Sequence, residues 1–289
     1  MAVTVVAAEP YAELRRRTLE LRTRYGFARQ LLDFYGALLA VQENAFHDAR
    51  RLSIALVGNL DAYVADVVVP SVIDVTVAAG PDRLRSDLIR RLGTEEPREI
   101  VGRWMRSADQ PLVDRYLARA SLGPVLEALD AETRAQCEGP RDRHHCPECG
   151  GPPQLSCFEV AQEDLATGPR RLLCARCGVT WGYPRMTCAS CGETDTAKLL
   201  VFTEYGNTSG ERGSVVRGLP GAEPVRVDRA LFPNLRVEAC ESCRRYILSI
   251  DLAIDRAAVP LVDEMAAIPL DLYARERGFA KITPNLMGF

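Results

Sequence analysis

Four Cys-x-x-Cys pairs constrain this chain more than any other feature: Cys146/Cys149, Cys174/Cys177, Cys188/Cys191 and Cys240/Cys243. Two intervening residues let a tight turn aim both sulfurs at one ion. Two such turns complete a tetrahedral four-sulfur set, with metal–sulfur distances of about 2.3 Å. Glycine follows the second cysteine at Gly150, Gly178 and Gly192, where a positive φ and a close backbone approach are useful. Arg244 stands in that place after the fourth pair. Sequential pairing puts Cys146, Cys149, Cys174 and Cys177 on one ion and Cys188, Cys191, Cys240 and Cys243 on the other. Crossed pairing satisfies the same ligand geometry, but the sequential loops cost less to close.

The ligand set limits the chemistry. A fully thiolate-coordinated ion has no exchangeable position for water, which argues against metal-assisted hydrolysis. The two ions read as staples for β units too small to bury a core of their own. Zinc and iron both suit four thiolates, and iron would make a rubredoxin-like, redox-capable centre. Ten cysteines could instead signal disulfides, but Met1 to Pro10 has no basic region ahead of its apolar patch and no convincing cleavage site. A reducing, cytoplasmic setting is therefore expected, with thiolates rather than disulfides.

Charge and hydropathy narrow the partners. The 36 basic and 39 acidic side chains give a formal net charge of -3, so no general positive field draws in nucleic acid. Thiolate-bound ions would make the cysteine-rich region more negative still. No uninterrupted apolar stretch reaches the roughly 20 residues that cross a bilayer. The closest, Ala62 to Ala79, is broken by Asp66, Pro70 and Asp74, so no membrane insertion is expected.

The periodicity predicts an α+β chain. Leu14, Leu21, Phe27, Leu31, Leu32, Phe34, Tyr35, Leu38 and Leu39 recur at helical spacing. They open an all-α N-terminal domain, residues 1–139, of five to seven helices. Breaks are expected at Pro70, Gly80-Pro81, Gly93 to Pro97 and Gly123-Pro124. Two rubredoxin-like or zinc-ribbon units follow, at residues 140–187 and 188–250, the second with a long loop. Their strands are expected at Arg171 to Leu173, Lys198 to Tyr205, Val215 to Arg217 and Tyr246 to Ile250. A helical tail, residues 251–289, offers Leu261, Met265, Ile268 and Leu272 to one face, with Pro269 dividing it.

The remaining reactive side chains carry less. Cys137 and Cys157 read as small core residues. His144 and His145 flank a coordination sphere that four cysteines already fill, and His47 has no evident ligand partner. No Ser-His-Asp set, phosphate loop or paired-carboxylate motif is present, so no catalytic residue and no enzyme is expected.

The ordered motifs resemble the FdhE family of formate dehydrogenase accessory (formation) proteins. The residues that carry the resemblance begin with Cys146-Pro147-Glu148-Cys149-Gly150-Gly151-Pro152-Pro153 and Leu172-Leu173-Cys174-Ala175-Arg176-Cys177. Trp181, Arg185 and Cys188-Ala189-Ser190-Cys191 come next, then Glu238-Ala239-Cys240-Glu241-Ser242-Cys243 and Tyr246. Val262-Asp263-Glu264, Leu270-Asp271-Leu272 and Pro284-Asn285 close the set, and Tyr25 to Gln42 is also similar. The stretch Gly206 to Pro233 and Arg244 depart from the pattern.

The resemblance implies a cytoplasmic accessory or maturation factor that binds the catalytic subunit of a respiratory formate dehydrogenase before twin-arginine export. It also implies iron as the metal. Trp181 and Arg185 are the expected partner-facing residues, since aromatic and arginine side chains often anchor interfaces. Core filling by Trp181 and carboxylate pairing by Arg185 are the plainer reading. An iron-thiolate redox protein is the main alternative, and a nucleic-acid-binding zinc ribbon the weaker one.

Overall fold

The computed structural model describes residues 10–160, 168–204 and 230–289. The N-terminal helices are α1 (Pro10–Arg24), α2 (Arg29–Leu52), α3 (Leu60–Tyr63), α4 (Val69–Ala79), α5 (Asp82–Arg91), α6 (Pro97–Met105), α7 (Leu112–Ala128) and α8 (Ala131–Arg134). Their core is built on α2 against α7, with α1, α4 and α6 around that pair. Leu32, Leu38, Leu39, Val64, Val72, Leu122 and Leu126 are completely buried there. The apolar 3–4 spacing of α2 produces this face, although Phe27 lies just outside it and stays exposed.

Two expected breaks do not occur. Pro124 sits inside α7, where its ring removes the N–H that would bond to Ala120. Gln42 Nε2 on α2 donates to the Ala120 carbonyl instead, at 3.0 Å. Pro70 begins α4 directly after a π-turn at Val64–Val68, whose longer hydrogen-bond step absorbs the missing donor. Leu60–Ala79 therefore runs as one 20-residue helix, long and apolar enough by length and composition to cross a membrane. Here it packs Val64, Val68, Val69 and Val72 into the helical core. The breaks at Gly80-Pro81 and Gly93 to Pro97 fall between helices as expected.

Seven strands follow: β1 (Pro153–Phe158), β2 (Arg170–Cys174), β3 (Thr180–Gly182), β4 (Leu199–Phe202), β5 (Leu235–Cys240), β6 (Arg245–Asp251) and β7 (Ala280–Lys281). The expected Val215 to Arg217 strand lies outside the described residues, as does most of the stretch Gly206 to Pro233. The two cysteine units are not separate sheets. β3-β2-β1 and β6-β5-β4 are each antiparallel, and β1 pairs with β6 in parallel, setting Leu155 opposite Leu248 and Cys157 opposite Ile250. Two small ribbons thus gain one continuous surface, which each alone would be too small to bury.

The tail supplies α9 (Pro260–Ala266) and α10 (Ile268–Glu276), divided at Ala267 with Pro269 in the first turn of α10. It docks on both halves of the molecule, through α9 on α1 and α2 and through α10 on β5 and β7. The buried face differs from the expected one. Met265 is buried as read, but Leu272 is exposed, and Val262, Leu270 and Ala274 fill the contact.

This contact encloses a charged network. Lys281 Nζ lies 2.7 Å from Glu264 and 3.0 Å from Asp271, all three side chains being at most 1% exposed. Tyr246 donates to Asp271 at 2.8 Å, Gln154 donates to Glu264, and Arg119 donates to Gln154 and to the Pro284 carbonyl. Six elements, α7, β1, β6, α9, α10 and β7, are tied by one chain of hydrogen bonds. A second network joins α1 to α9, where buried Arg17 meets Asp263 at 2.5 Å and Asp255 at 2.7 Å.

Candidate metal centres

Cys146, Cys149, Cys174 and Cys177 converge beside β1 and β2, and Cys188, Cys191, Cys240 and Cys243 converge beside β5 and β6, with the four sulfurs of each group within 4.8 Å of one another. This is the sequential pairing. Each group can hold one metal ion. Sulfur–sulfur distances are 3.4 and 3.6 Å in the first group and 3.8 Å for two pairs in the second. A tetrahedron with metal–sulfur bonds of about 2.3 Å has edges of about 3.8 Å, far longer than a disulfide bond. All ten cysteines are free thiols.

The four turns are built alike. The residue after each pair donates its N–H back to the first cysteine's carbonyl: Gly150 to Cys146 at 2.9 Å, Gly178 to Cys174 at 3.2 Å, Gly192 to Cys188 at 3.0 Å and Arg244 to Cys240 at 2.9 Å. All four donors have left-handed backbones, with φ of 69°, 72°, 78° and 56° in that order. Arg244 therefore keeps the turn despite its side chain, against a steric penalty of about 1 kcal/mol or more. Its guanidinium stacks over Phe279 at 4.1 Å and donates to the Arg277 carbonyl at 2.9 Å, which offsets that strain. Backbone N–H groups also reach sulfur in three turns: Gly151 to Cys149, Arg176 to Cys174 and Ser190 to Cys188. At Gly151, a Cβ would meet Cys174 Sγ at 2.7 Å, so the first centre closes only around a glycine.

The two centres differ in setting. The first is buried completely, and the Arg176 side chain, 1% exposed, anchors it to the helical domain. Arg176 donates to the carbonyls of Trp104 and Cys149 at 2.7 Å, to that of Glu138 at 3.1 Å and to Ser107 Oγ at 2.7 Å. No carboxylate pairs with it among the described residues. In the second centre Cys240 is buried, Cys243 is partly open and Cys191 is exposed. A chelator should therefore remove one metal equivalent quickly and the other far more slowly. Metal release followed against time checks this, and a single phase accounting for both ions would count against the difference in access.

Glu127, at the seam between α7 and the first centre, faces Gly178 and accepts a hydrogen bond from Tyr11 at 3.3 Å. Burial pushes its carboxyl up to about 7, against the opposing effects of Tyr11 and Arg134. Because the folded value lies above the unfolded one, the stabilisation it provides is full in acid and is lost as pH rises towards 7. Glu127→Gln should gain about 1–2 kcal/mol over the parent between about pH 5 and about pH 8. Urea denaturation at both pH values checks it, and an unchanged difference would show that Glu127 carries no proton in the fold.

The other sequence candidates are placed as follows. Trp181 is buried, and its indole N–H donates to the Arg143 carbonyl at 3.1 Å. Arg185 is exposed, stacks on Phe158 at 4.9 Å and donates to the Gly168 carbonyl rather than to a carboxylate. His144 bonds Tyr183 and the Ala189 carbonyl, and His145 bonds Asp142, so both brace the strand surroundings of the centres. Cys137 and Cys157 are buried and belong to neither group, and burial pushes both thiols up to about 12. The anchoring role of Arg176 escaped the sequence reading. An arginine between two ligand cysteines was its visible signal.

Comparison with known proteins agrees with this arrangement. Residues 226–287 match the family described as FdhE, C-terminal domain. The Protein FdhE homolog of Aquifex aeolicus is 27% identical over 205 residues, covering 71% of this chain and 62% of that protein. The Protein FdhE homolog of Pseudomonas aeruginosa is 31% identical over 142 residues, covering 49% of this chain and 38% of its own length. The matched stretches thus span less than two thirds of either relative. The crystal structure of the FdhE protein from Pseudomonas aeruginosa superposes with a TM-score of 0.59 at 20% identity, over 96% of this chain and 95% of that one. The fold is shared, and the resemblance to the FdhE family first carried by the knuckles holds across family, relatives and structure.

Proposed function

We propose that this FdhE-like chain is a non-catalytic accessory protein for the formation of formate dehydrogenase. It binds the catalytic subunit of a respiratory formate dehydrogenase in the cytoplasm and assists its assembly before export. The observation that carries the reading is the pair of four-cysteine groups on the two halves of one sheet, in the motif order of the FdhE resemblance. In this reading each group holds one ion, zinc or rubredoxin-like iron. When bound, the ion cross-links turns that the chain brings together from distant segments and, if it is iron, adds a one-electron couple.

The chain's own residues do the rest. Four thiolates fill each tetrahedral sphere, so no position is left for a substrate at the ion. Arg176 locks the first centre to α6, and the Lys281 network locks the tail to the sheet. Arg185 is the exposed member of the Trp181 and Arg185 pair, and in this reading it is the one that meets a partner. Trp181 serves from below, by fixing the Arg143 carbonyl.

Co-purification tests this reading. The tagged full chain, isolated anaerobically from cells induced for formate respiration, should retain the formate dehydrogenase catalytic subunit, and deletion of its gene should abolish that activity. Normal activity in the deletion strain, with no subunit retained, would remove the assignment. The redox alternative draws on the exposed Cys191 and partly open Cys243. It requires stoichiometric iron and a reversible colour change on oxidation, and colourless bound zinc would eliminate it.

A further inference from the structure

A cavity of about 200 Å³ lies against the second centre, on the sheet face opposite the one where Phe202 meets Tyr273 of α10. Its floor is apolar, from Leu199 and Val201 on β4 and Ile247 on β6. Cys188 and Cys240 form one wall, so an occupant would sit beside the second metal centre. The charged lining is lopsided: Arg170, Arg185, Arg236 and Arg245 stand against Glu238 alone.

The hydrogen bonds show which charges are already used. Arg170 meets Glu238 at 2.6 Å and is otherwise spent on Ser156 and the carbonyls of Pro184 and Thr187. Arg236 meets the other oxygen of Glu238 at 3.1 Å. Glu238 is thereby saturated by two arginines. Arg185 and Arg245 are exposed; Arg185 gives one N–H to the Gly168 carbonyl, and neither has an ion-pair partner among the described residues. Phe158 fixes the geometry of the rim, because Arg236 stacks on its ring at 4.2 Å and Arg185 at 4.9 Å. Stacked guanidiniums retain their in-plane N–H donors, the arrangement that suits a carboxylate.

We infer that this cavity binds a carboxylate carried on an apolar stem, with the stem over Leu199, Val201 and Ile247 and the anion between Arg185 and Arg245. A free organic acid and an acidic side chain of a bound protein present the same chemistry. Only the protein-borne source rests on the accessory-protein reading. An arginine-bearing leader would be repelled here, so the cavity selects for a different part of any client.

The test uses the metal-loaded full chain and two probe pairs: hexanoate against hexanamide, and an acetylated Leu-Leu-Glu-Leu peptide amide against its glutamine counterpart. Titration calorimetry should show saturable binding of hexanoate and at least about ten-fold weaker binding of hexanamide. Methyl resonances of Ile247 should move on binding. Arg185→Gln with Arg245→Gln should weaken hexanoate about ten-fold or more, and the corresponding lysine pair should recover part of that loss. Binding of both acids would support a protein-borne source, and binding of hexanoate alone would support a free acid. The inference is overturned if neither acid saturates, if the neutral partners bind equally, or if the shifts lie away from Ile247. It is equally overturned if the glutamine pair loses the second metal while the parent chain binds no probe, since the arginines would then only balance the thiolates. Co-purification of a client is read separately, so failure here and failure of the accessory reading are distinguishable.

Discussion

Cys174→Ser is expected to lose one of two metal equivalents and to destabilise the chain more than either Lys281→Met or Cys191→Ser. Structural zinc sites in small domains are worth roughly 10–16 kcal/mol of apparent binding free energy, against a total domain stability of about 5–15 kcal/mol. Losing even part of that at a fully buried centre threatens the fold. The effect spreads because Arg176, between two of these cysteines, ties the centre to α6 and its surroundings through carbonyls, a hydroxyl and the Trp104 ring at 5.5 Å. Cys191→Ser is the matched comparison. It should also release one equivalent, but with a much smaller fall in Tm, since Cys191 is exposed. Equal falls in Tm for the two variants would remove the distinction between an anchoring and a peripheral centre.

Lys281→Met should be the second most damaging substitution, at about 3–5 kcal/mol near neutral pH, because it strands two buried carboxylates without their cation. Glu264 and Asp271 are both completely buried, and Lys281 is the amine they share. Burial already pushes the Glu264 carboxyl upward even with Lys281 beside it. Removing the amine raises it further, so the folded value exceeds the unfolded value by a wider margin. The sign follows directly. The variant keeps most of its stability in acid, where Glu264 is protonated in both states, and loses it as pH rises through the folded value. Chemical denaturation at about pH 4.5 and about pH 7.5 should show a deficit that grows with pH. A deficit independent of pH would mean that Lys281 contributes packing rather than charge.

These two expectations separate what the sequence revealed from what it concealed. The two four-cysteine groups were legible because a shared ion would impose a short, rigid spacing on the chain. Ligand type, turn chemistry and even pairing follow from Cys-x-x-Cys and loop closure. The helical domain was legible from the 3–4 periodicity of α2, and the hinge at Ala267 from Pro269. Long-range compensation was not. Pro124 reads locally as a helix break, and only Gln42, far away on α2, supplies the donor that lets α7 continue. The parallel pairing of β1 with β6 joins segments separated by three of the four knuckles, so nothing in either strand alone announces it. Glu264 and Asp271 were visible as an acidic-apolar tail, yet their burial depends on Lys281, whose strand β7 is two residues long. Arg185 illustrates the same limit. Its exposure and its stacking on Phe158 depend on β1, which lies on the other side of the Cys174/Cys177 knuckle.

Two four-cysteine groups of unequal access, each able to hold one metal ion and joined by one continuous sheet, are what the fold and the proposed role both depend on. Metal analysis of the anaerobically purified full chain, beside Cys174→Ser and Cys240→Ser, tests this directly. The expected result is two ions per chain in the parent and one in each variant, with all eight ligand cysteines unreactive to alkylation until the metal is removed. Metal-free parent protein that keeps its fold, with the eight thiols freely alkylated or joined as disulfides, would contradict it.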